Sequence, residues 1–357
     1  MESLKQQVEL SAIVSTRNRA KQLSTLIQCL GSQAGIENLK WEIVIVDNNS
    51  TDNTKEVAYA FCEGSNLKIN YIHEPKIGLA NARNTGILYS KGSYLLFVDD
   101  DVLIPNDFIN NTLIAIHEYP EFHMYGFRIL PYWEEMKLKN PKFKKPYWLN
   151  FKKPFNLIQS FIPIHDLGIE TLQYPNRIAK NPIGACFLVK KEVFEKVGPF
   201  REDLGAGQSG VCEDTEFFWY AMINDYKILY WPYSVLYHPV LPDRLNPDYL
   251  HKWYFKLGKS LSLIKNSGRI YNKNKKPVLG FEGFIANKMP AFIKKIFLDT
   301  KIFKVSIFLW LKLFILVMLL PLSVFLLLIK KPFYITSLIA KTFGEIKESK
   351  NIKKSSF

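Results

Sequence analysis

Cysteine is scarce and scattered: Cys29, Cys62, Cys186 and Cys212 form no Cys-x-x-Cys pair, which argues against both a zinc site and a disulfide framework and fits a reducing cytosol. Two glycine-rich phosphate signatures are also missing. No Gly-x-Gly-x-x-Gly turn follows the first strand-like segment, which disfavours a dinucleotide-dependent dehydrogenase, and no Gly-x-x-x-x-Gly-Lys-Ser/Thr occurs, so a P-loop enzyme is excluded. The polar residues 1–7 run straight into a strand-like segment, so no secretory leader is expected. Negative charge is thin in the C-terminal third. From Leu250 onward 21 Lys+Arg face 4 Asp+Glu, whereas the preceding part carries 26 against 29, so the net charge of +14 belongs to the C-terminal third. Those lysines flank a long apolar stretch, which points to an anionic membrane surface as partner and away from nucleic acid.

Apolar material is ample. Of 357 residues 48% are hydrophobic, enough for one globular domain of about 250 residues and an appendage. Residues 8–14, 41–46, 67–72 and 94–98 are apolar and β-type; between them, residues 20–33, 51–62 and 79–90 have helical period. Ile43-Val44-Ile45-Val46 shows no alternation, as expected of a strand covered by helices on both faces. The pattern predicts an α/β domain with a mainly parallel sheet.

Residues 305–329 read VSIFLWLKLFILVMLLPLSVFLLLI, and roughly 20 apolar residues suffice to cross a bilayer. Lys312 would have to snorkel or find a partner there, and Pro321 would kink or break the helix. Lysines on both sides leave three readings open: a kinked span, a shallow hairpin with both ends on the cytoplasmic side, and a buried core helix.

In a parallel sheet, ligands bind beyond the carboxyl ends of the strands. Three polar clusters fall there: Ser15-Thr16-Arg17-Asn18-Arg19, Asp47-Asn48-Asn49-Ser50 and Asp99-Asp100-Asp101. Three adjacent carboxylates repel one another, so a cation held among them is one explanation, and hard oxygen ligands favour Mg²⁺ or Mn²⁺ with a phosphate-bearing substrate. A polar turn capping the helix near Pro105 is the other. Asp47 and Asn49 equally fit an Asx-type turn, and Arg83 a solvated helix face. Glu213-Asp214 is a second acidic pair, beside Phe217, Phe218 and Trp219, whose apolar surroundings would raise a carboxyl pKa toward that of a useful base. As the opening of an aromatic-rich helix the same residues fit an N-cap. His238, before Pro239, is either a further ligand or a structural histidine. Residues 205–210, with three glycines, form a flexible loop or lid ahead of the pair, and the Pro-, Lys- and Trp-rich stretch 128–180 covers the acceptor, touches the membrane or is an ordinary loop.

The serial motifs Ser15-Thr16-Arg17-Asn18-Arg19, Val46-Asp47-Asn48-Asn49-Ser50-Thr51-Asp52, Gly78-Leu79-Ala80-Asn81-Ala82-Arg83-Asn84 and Asp99-Asp100-Asp101 resemble those of family-2 glycosyltransferases with the GT-A fold. Gly184-Ala185-Cys186-Phe187 and Glu213-Asp214-Thr215-Glu216-Phe217 resemble the second half of that family, so the likeness runs from about residue 8 to 238. It implies that Thr16 and Asp47 line the nucleoside pocket, with Arg17, Asn49 and Asp100 in the same donor-binding set. Arg83 reaches the nucleotide, and Asp99 and Asp101 form a DXD-type element around ribose and metal, Asp101 contacting the metal and His238 adding a ligand. Asp214 is then the base of an inverting transfer, with Glu213 orienting it or contacting the acceptor. The family often has glycine before this pair, where Cys212 stands here, and that departure bears on the loop geometry.

The expectation is a GT-A-type mixed, mainly parallel sheet flanked by helices, followed by a helical membrane-associated region. Residues 1–240 form the catalytic domain, with a nucleotide-binding half (1–104) and an acceptor half (105–240); residues 241–304 are basic linker helices, 305–329 the membrane segment and 330–357 a basic tail. The expected activity is Mn²⁺- or Mg²⁺-dependent transfer from a nucleoside-diphosphate sugar to a glycan or lipid-linked acceptor in cell-surface polysaccharide synthesis, with the catalytic domain cytoplasmic. A sugar-nucleotide nucleotidyltransferase would show a glycine-rich triphosphate turn near the first strand, which is lacking. A non-catalytic membrane scaffold would not need acidic motifs at both centres.

Overall fold

A computed structural model describes residues 9–64, 67–133, 137–138, 141–144, 162–174 and 181–269. The chain divides into two compact units. The first holds an eight-stranded sheet in the order β3-β2-β1-β4-β7-β5-β8-β6. Its N-terminal half alternates β1 (Leu10–Thr16), α1 (Ala20–Gly31), β2 (Trp41–Asp47), α2 (Thr54–Gly64), β3 (Ile69–His73), α3 (Leu79–Tyr89) and β4 (Tyr94–Asp99). After α4 (Phe108–Glu118) come β5 (Met124–Tyr132), β6 (Leu172–Gln173), β7 (Cys186–Lys190), α5 (Glu192–Val197), α6 (Glu213–Ile223) and β8 (Ile228–Pro239). The second unit's described part is α7 (Pro247–Asn266), opened by Pro247 and by the Asn246 side chain, which accepts the Asp248 N–H at 2.9 Å.

Strands β3, β2, β1 and β4 run parallel, β7 enters antiparallel between β4 and β5, and β5 and β8 are parallel again. The sheet is therefore mixed, as expected. Along β1 and β2 nearly every residue is buried, because helices cover both faces, and the apolar runs of Leu, Ile and Val follow from that. Gly86 lets α3 lie close on β1: a β-carbon there would come within 2.4 Å of Ile13 Cγ2.

Parallel register puts the polar ends side by side. Thr16 pairs with Asp47 across β1/β2, and Ser15 with Asp99 across β1/β4. From the other half, β8 pairs its His238 with Pro131, and the bridge Leu103–Tyr237 ties its end to the segment following the acid triplet. A register shift at Phe127/Arg128 accommodates residues 232–234 of β8, and Pro232 sits in this irregular stretch, where a missing N–H breaks no ladder bond.

The helix expected from residue 51 begins at Thr54, because Asp52 turns back to accept the Thr54 N–H at 3.1 Å. The apolar run 305–329, the basic tail 330–357 and residues 270–304 of the expected linker lie outside the described residues. Among the described residues no helix is long and apolar enough to cross a membrane.

Candidate active site

The turn after β1 is built by Asn18, which adopts a left-handed φ of 54°; its side chain accepts the Thr51 N–H at 2.7 Å, and its own N–H donates to Ser50 Oγ at 2.9 Å. The turns after β1 and β2 thereby fix one another. Asp47 is buried: Oδ1 accepts the Ser50 N–H at 2.9 Å and Oδ2 accepts the Tyr71 hydroxyl at 2.8 Å. Its carboxylate thus closes a local turn and also anchors a side chain from β3. Burial and the bond to Asp47 raise the Tyr71 pKa. Asn49 stands next in the turn with φ 58°. Thr16 is buried at the strand end, and Arg17 is exposed at the turn.

The acid triplet splits. Asp100 turns to Arg19, whose Nη1 lies 2.9 Å from Asp100 Oδ1 and 2.6 Å from Asp101 Oδ2. Asp99 turns to Arg83 Nη2 at 3.2 Å, and Asp101 Oδ1 lies 3.3 Å from His238 Nε2. Burial lifts the Asp100 carboxyl to about 7 against the pull of Arg19. Burial also raises Asp99, against Arg83. For Asp101, burial is outweighed by His238 and Arg19, so its pKa is lowered.

Asp99, Asp101 and His238 each offer a ligand atom, all within 4.8 Å of one another. The donor set fits a divalent cation. His238 Nδ1 lies 2.9 Å from the Pro239 carbonyl oxygen, which only accepts, so Nδ1 carries the proton and Nε2 faces the Asp101 carboxylate. Two acceptors cannot face each other at that distance unless a proton or a metal ion lies between them. A backbone carbonyl on the far ring nitrogen is the usual orienting contact of a metal-bound histidine. Two carboxylates with one imidazole suit Mn²⁺, and Mg²⁺ less well.

Arg83, 3% exposed, joins the two acidic centres. Besides Asp99 it binds Glu213 Oε1 through Nη1 at 2.9 Å and the Gly184 carbonyl through Nη2 at 2.8 Å. Burial disfavours its charge, yet Glu213, Asp99 and Asp214 together raise its pKa. The solvated helix face is thereby ruled out. Burial, reinforced by Asp214, lifts Glu213 to about 7 against Arg83. Asp214 is half-buried, with Oδ1 accepting the Thr215 N–H at 2.7 Å. Two glycines make room for the pair: a β-carbon at Gly184 would come within 2.7 Å of Asp214 Oδ2, and one at Gly205, where φ is 82°, within 2.6 Å of Glu213 Oε2.

Thr16, Asp47, Asp99, Asp100, Asp101, Arg83, Glu213, Asp214 and His238 therefore share the carboxyl edge of the sheet. Arg17 stays at the exposed rim. Two residues that hold the site were not among the expected ones: Arg19, which meets the triplet, and Tyr71, which meets Asp47. Arg19 belongs to the polar cluster after β1, but only the turn geometry tells it from Arg17; nothing in the strand sequence marks Tyr71.

Over residues 11–198 the chain matches the family described as "Glycosyl transferase family 2", and it belongs to that family. It is 29% identical over 112 residues to the poly(ribitol-phosphate) beta-N-acetylglucosaminyltransferase TarS of Staphylococcus aureus (strain Mu50), a match covering 31% of this chain and 19% of that protein. Poly-beta-1,6-N-acetyl-D-glucosamine synthase of Staphylococcus epidermidis is 28% identical over 233 residues, 64% of this chain and 49% of that protein. The chain thus spans less than half the length of these curated relatives. Among solved structures, the mannosyltransferase PcManGT of Pyrobaculum calidifontis, in complex with GDP-Man and Mn²⁺, superposes with a TM-score of 0.60 at 17% identity, covering 96% of this chain and 88% of that one. This is a likeness of fold.

Proposed function

We propose that the chain is a metal-dependent, inverting glycosyltransferase. It moves a sugar from a nucleoside-diphosphate sugar to a hydroxyl of a glycan or lipid-linked acceptor in cell-surface polysaccharide synthesis. It works at a membrane with its catalytic unit on the cytoplasmic side. The observation that carries this reading is the single buried guanidinium of Arg83, which ties Asp99 of the acid triplet to Glu213 beside Asp214. A donor-binding centre and a base-bearing centre held at a fixed separation are what displacement at an anomeric carbon requires. The poly(ribitol-phosphate) and poly-beta-1,6-N-acetyl-D-glucosamine in the names of the relatives, and the GDP-Man and Mn²⁺ bound by a structural neighbour, support the substrate class.

Thr16 and Asp47, with Arg17 and Asn49 in the flanking turns, frame the nucleoside. Asp99, Asp101 and His238 hold the cation, which when bound offsets the charge developing on the departing diphosphate. Asp100 lies beside that centre, turned toward Arg19. Asp214 accepts the proton of the acceptor hydroxyl as its oxygen bonds to the anomeric carbon and the bond to the diphosphate breaks on the opposite face. Glu213, locked by Arg83 and given room by Gly205, positions Asp214. Residues 1–104 are the donor half and 105–240 the acceptor half.

The test is a calorimetric screen of UDP-, GDP-, CMP- and dTDP-sugars with and without Mn²⁺. Asp101→Asn is expected to abolish metal-dependent nucleotide binding, whereas Asp214→Asn spares binding and removes transfer. Normal turnover by either variant overturns the role assigned to that residue.

A further inference from the structure

Among the described residues, Arg19 is the guanidinium bonded to the acid triplet that the transfer chemistry above does not use. Its Nη1 alone bridges two carboxylates, Asp100 Oδ1 at 2.9 Å and Asp101 Oδ2 at 2.6 Å, and its side chain is 39% exposed. Arg83, by contrast, is buried and committed to Asp99, Glu213 and the Gly184 carbonyl. Of the guanidiniums bonded to the triplet, one is thus fixed and the other reaches in from the rim, while Arg244 acts on Asp101 through space.

The bridge falls on a metal-ligating residue. Asp101 is gripped at one oxygen by Arg19, while its other oxygen faces His238 Nε2 at 3.3 Å. A divalent cation at a usual carboxylate distance of roughly 2–2.6 Å from Asp101 would sit no further than about 7 Å from the Arg19 nitrogen. That separation is inside one Debye length at ordinary salt, in a site partly shielded from water, so the two cations repel.

Building on the metal site proposed above, we infer that Arg19 is an exchangeable counter-ion that occupies the acid triplet before the metal does and must withdraw for the metal to bind. Without a metal ion it neutralises Asp100 and Asp101, where three adjacent carboxylates would otherwise repel one another. When the divalent ion supplies that charge, the guanidinium becomes redundant there and swings outward, toward the side from which a donor enters. A planar fork of N–H donors is the group best suited to diphosphate oxygens. Arg19 is thus a positioning residue that couples metal entry to donor entry, and Arg17, exposed two residues earlier, does not share the role.

The test measures metal binding, not turnover. Free Mn²⁺ is followed by electron paramagnetic resonance while the full-length, detergent-purified wild type, Arg19→Gln and Arg19→Lys are titrated with Mn²⁺ in the absence of nucleotide. Removing the charge is expected to tighten Mn²⁺ binding about tenfold, within the usual span of coupled sites. Arg19→Lys keeps the charge and is expected to stay within about twofold of wild type, which separates electrostatic exchange from a general loosening of the turn and stands in should the glutamine variant not fold. Mn²⁺ affinity of Arg19→Gln equal to or weaker than wild type, or of Arg19→Lys markedly tighter, overturns the exchange while leaving the metal site standing. Failure of the wild type and both variants to bind Mn²⁺ overturns the metal site itself, and the exchange with it.

Discussion

Asp100 differs from its two neighbours in having no place in the cation cluster, and it carries a cost of its own. It is 5% exposed and its pKa is lifted from the ordinary 3.8 to about 7, first by burial, with Arg19 pulling the other way. A group whose folded pKa lies above its unfolded one favours folding fully below the unfolded value, and that contribution is lost as pH rises toward the folded value. For Asp100 the window runs from about pH 4 to about pH 7. Asp100→Asn removes the titration, so its stability relative to the wild type is expected to climb between pH 4.5 and 7.5, by at most roughly 3 kcal/mol. Thermal unfolding of both proteins across that range, without metal, checks it; a difference that stays flat or falls with pH would show that Arg19 fully compensates the buried carboxylate. At this scale the sequence was informative about residue type and poor about direction. Three carboxylates after an apolar strand announced a charged edge, but which of them faces Arg19, which Arg83 and which His238 depends on backbone turns. Cys212 illustrates the same limit. It stands where the resemblance implies glycine, and it takes a left-handed φ of 76°, a conformation that a glycine would adopt freely.

The secondary elements meet at glycines whose purposes differ, and substitution separates them. At Gly184, just before β7, a β-carbon would press on Asp214 Oδ2 at 2.7 Å and lie 3.3 Å from Arg83 Nη2. Gly184→Ala is therefore expected to displace the base and lower kcat by roughly 10²-fold, as a misplacement of about 1 Å does, while donor affinity changes little. At Gly86 the β-carbon would meet Ile13 Cγ2 at 2.4 Å, deep between α3 and β1. Gly86→Ala is expected to cost roughly 1–3 kcal/mol of stability through overpacking, seen as a lower midpoint in denaturant with kcat per folded molecule retained. If Gly184→Ala lost stability and kept its kcat, the clearance assigned to Asp214 would be wrong. The first seven elements were readable from apolar runs alternating with helical period, because each βα step is local and both faces of the strands are covered. The second half was less so. Strand β6 has two residues, β7 runs against its neighbours, and β8 changes register beside β5. Such pairings are set by contacts far apart in the chain, and they are what carries His238 to the acid triplet.

The whole molecule is divided by charge as well as by fold. The first unit contains every residue of the candidate site, in a part of the chain with slightly more acidic than basic residues, whereas from Leu250 onward 21 Lys+Arg face 4 Asp+Glu. Lysines alone attract an anionic surface by about 1 kcal/mol each, and salt weakens that attraction. An inserted apolar run adds a term that salt does not screen. The two contributions can be separated by flotation with vesicles of phosphatidylcholine and phosphatidylglycerol. The full chain is expected to float at low salt and to remain bound at about 1 M salt, where the Debye length falls to roughly 3 Å. A chain lacking residues 305–329 is expected to float at low salt only, held by its remaining lysines. Release of the full chain by salt would leave the basic stretch as a peripheral, electrostatic contact and remove the inserted segment. A full chain that never floats would remove the membrane from the proposed function altogether, and a soluble glycan would then be the acceptor class to pursue.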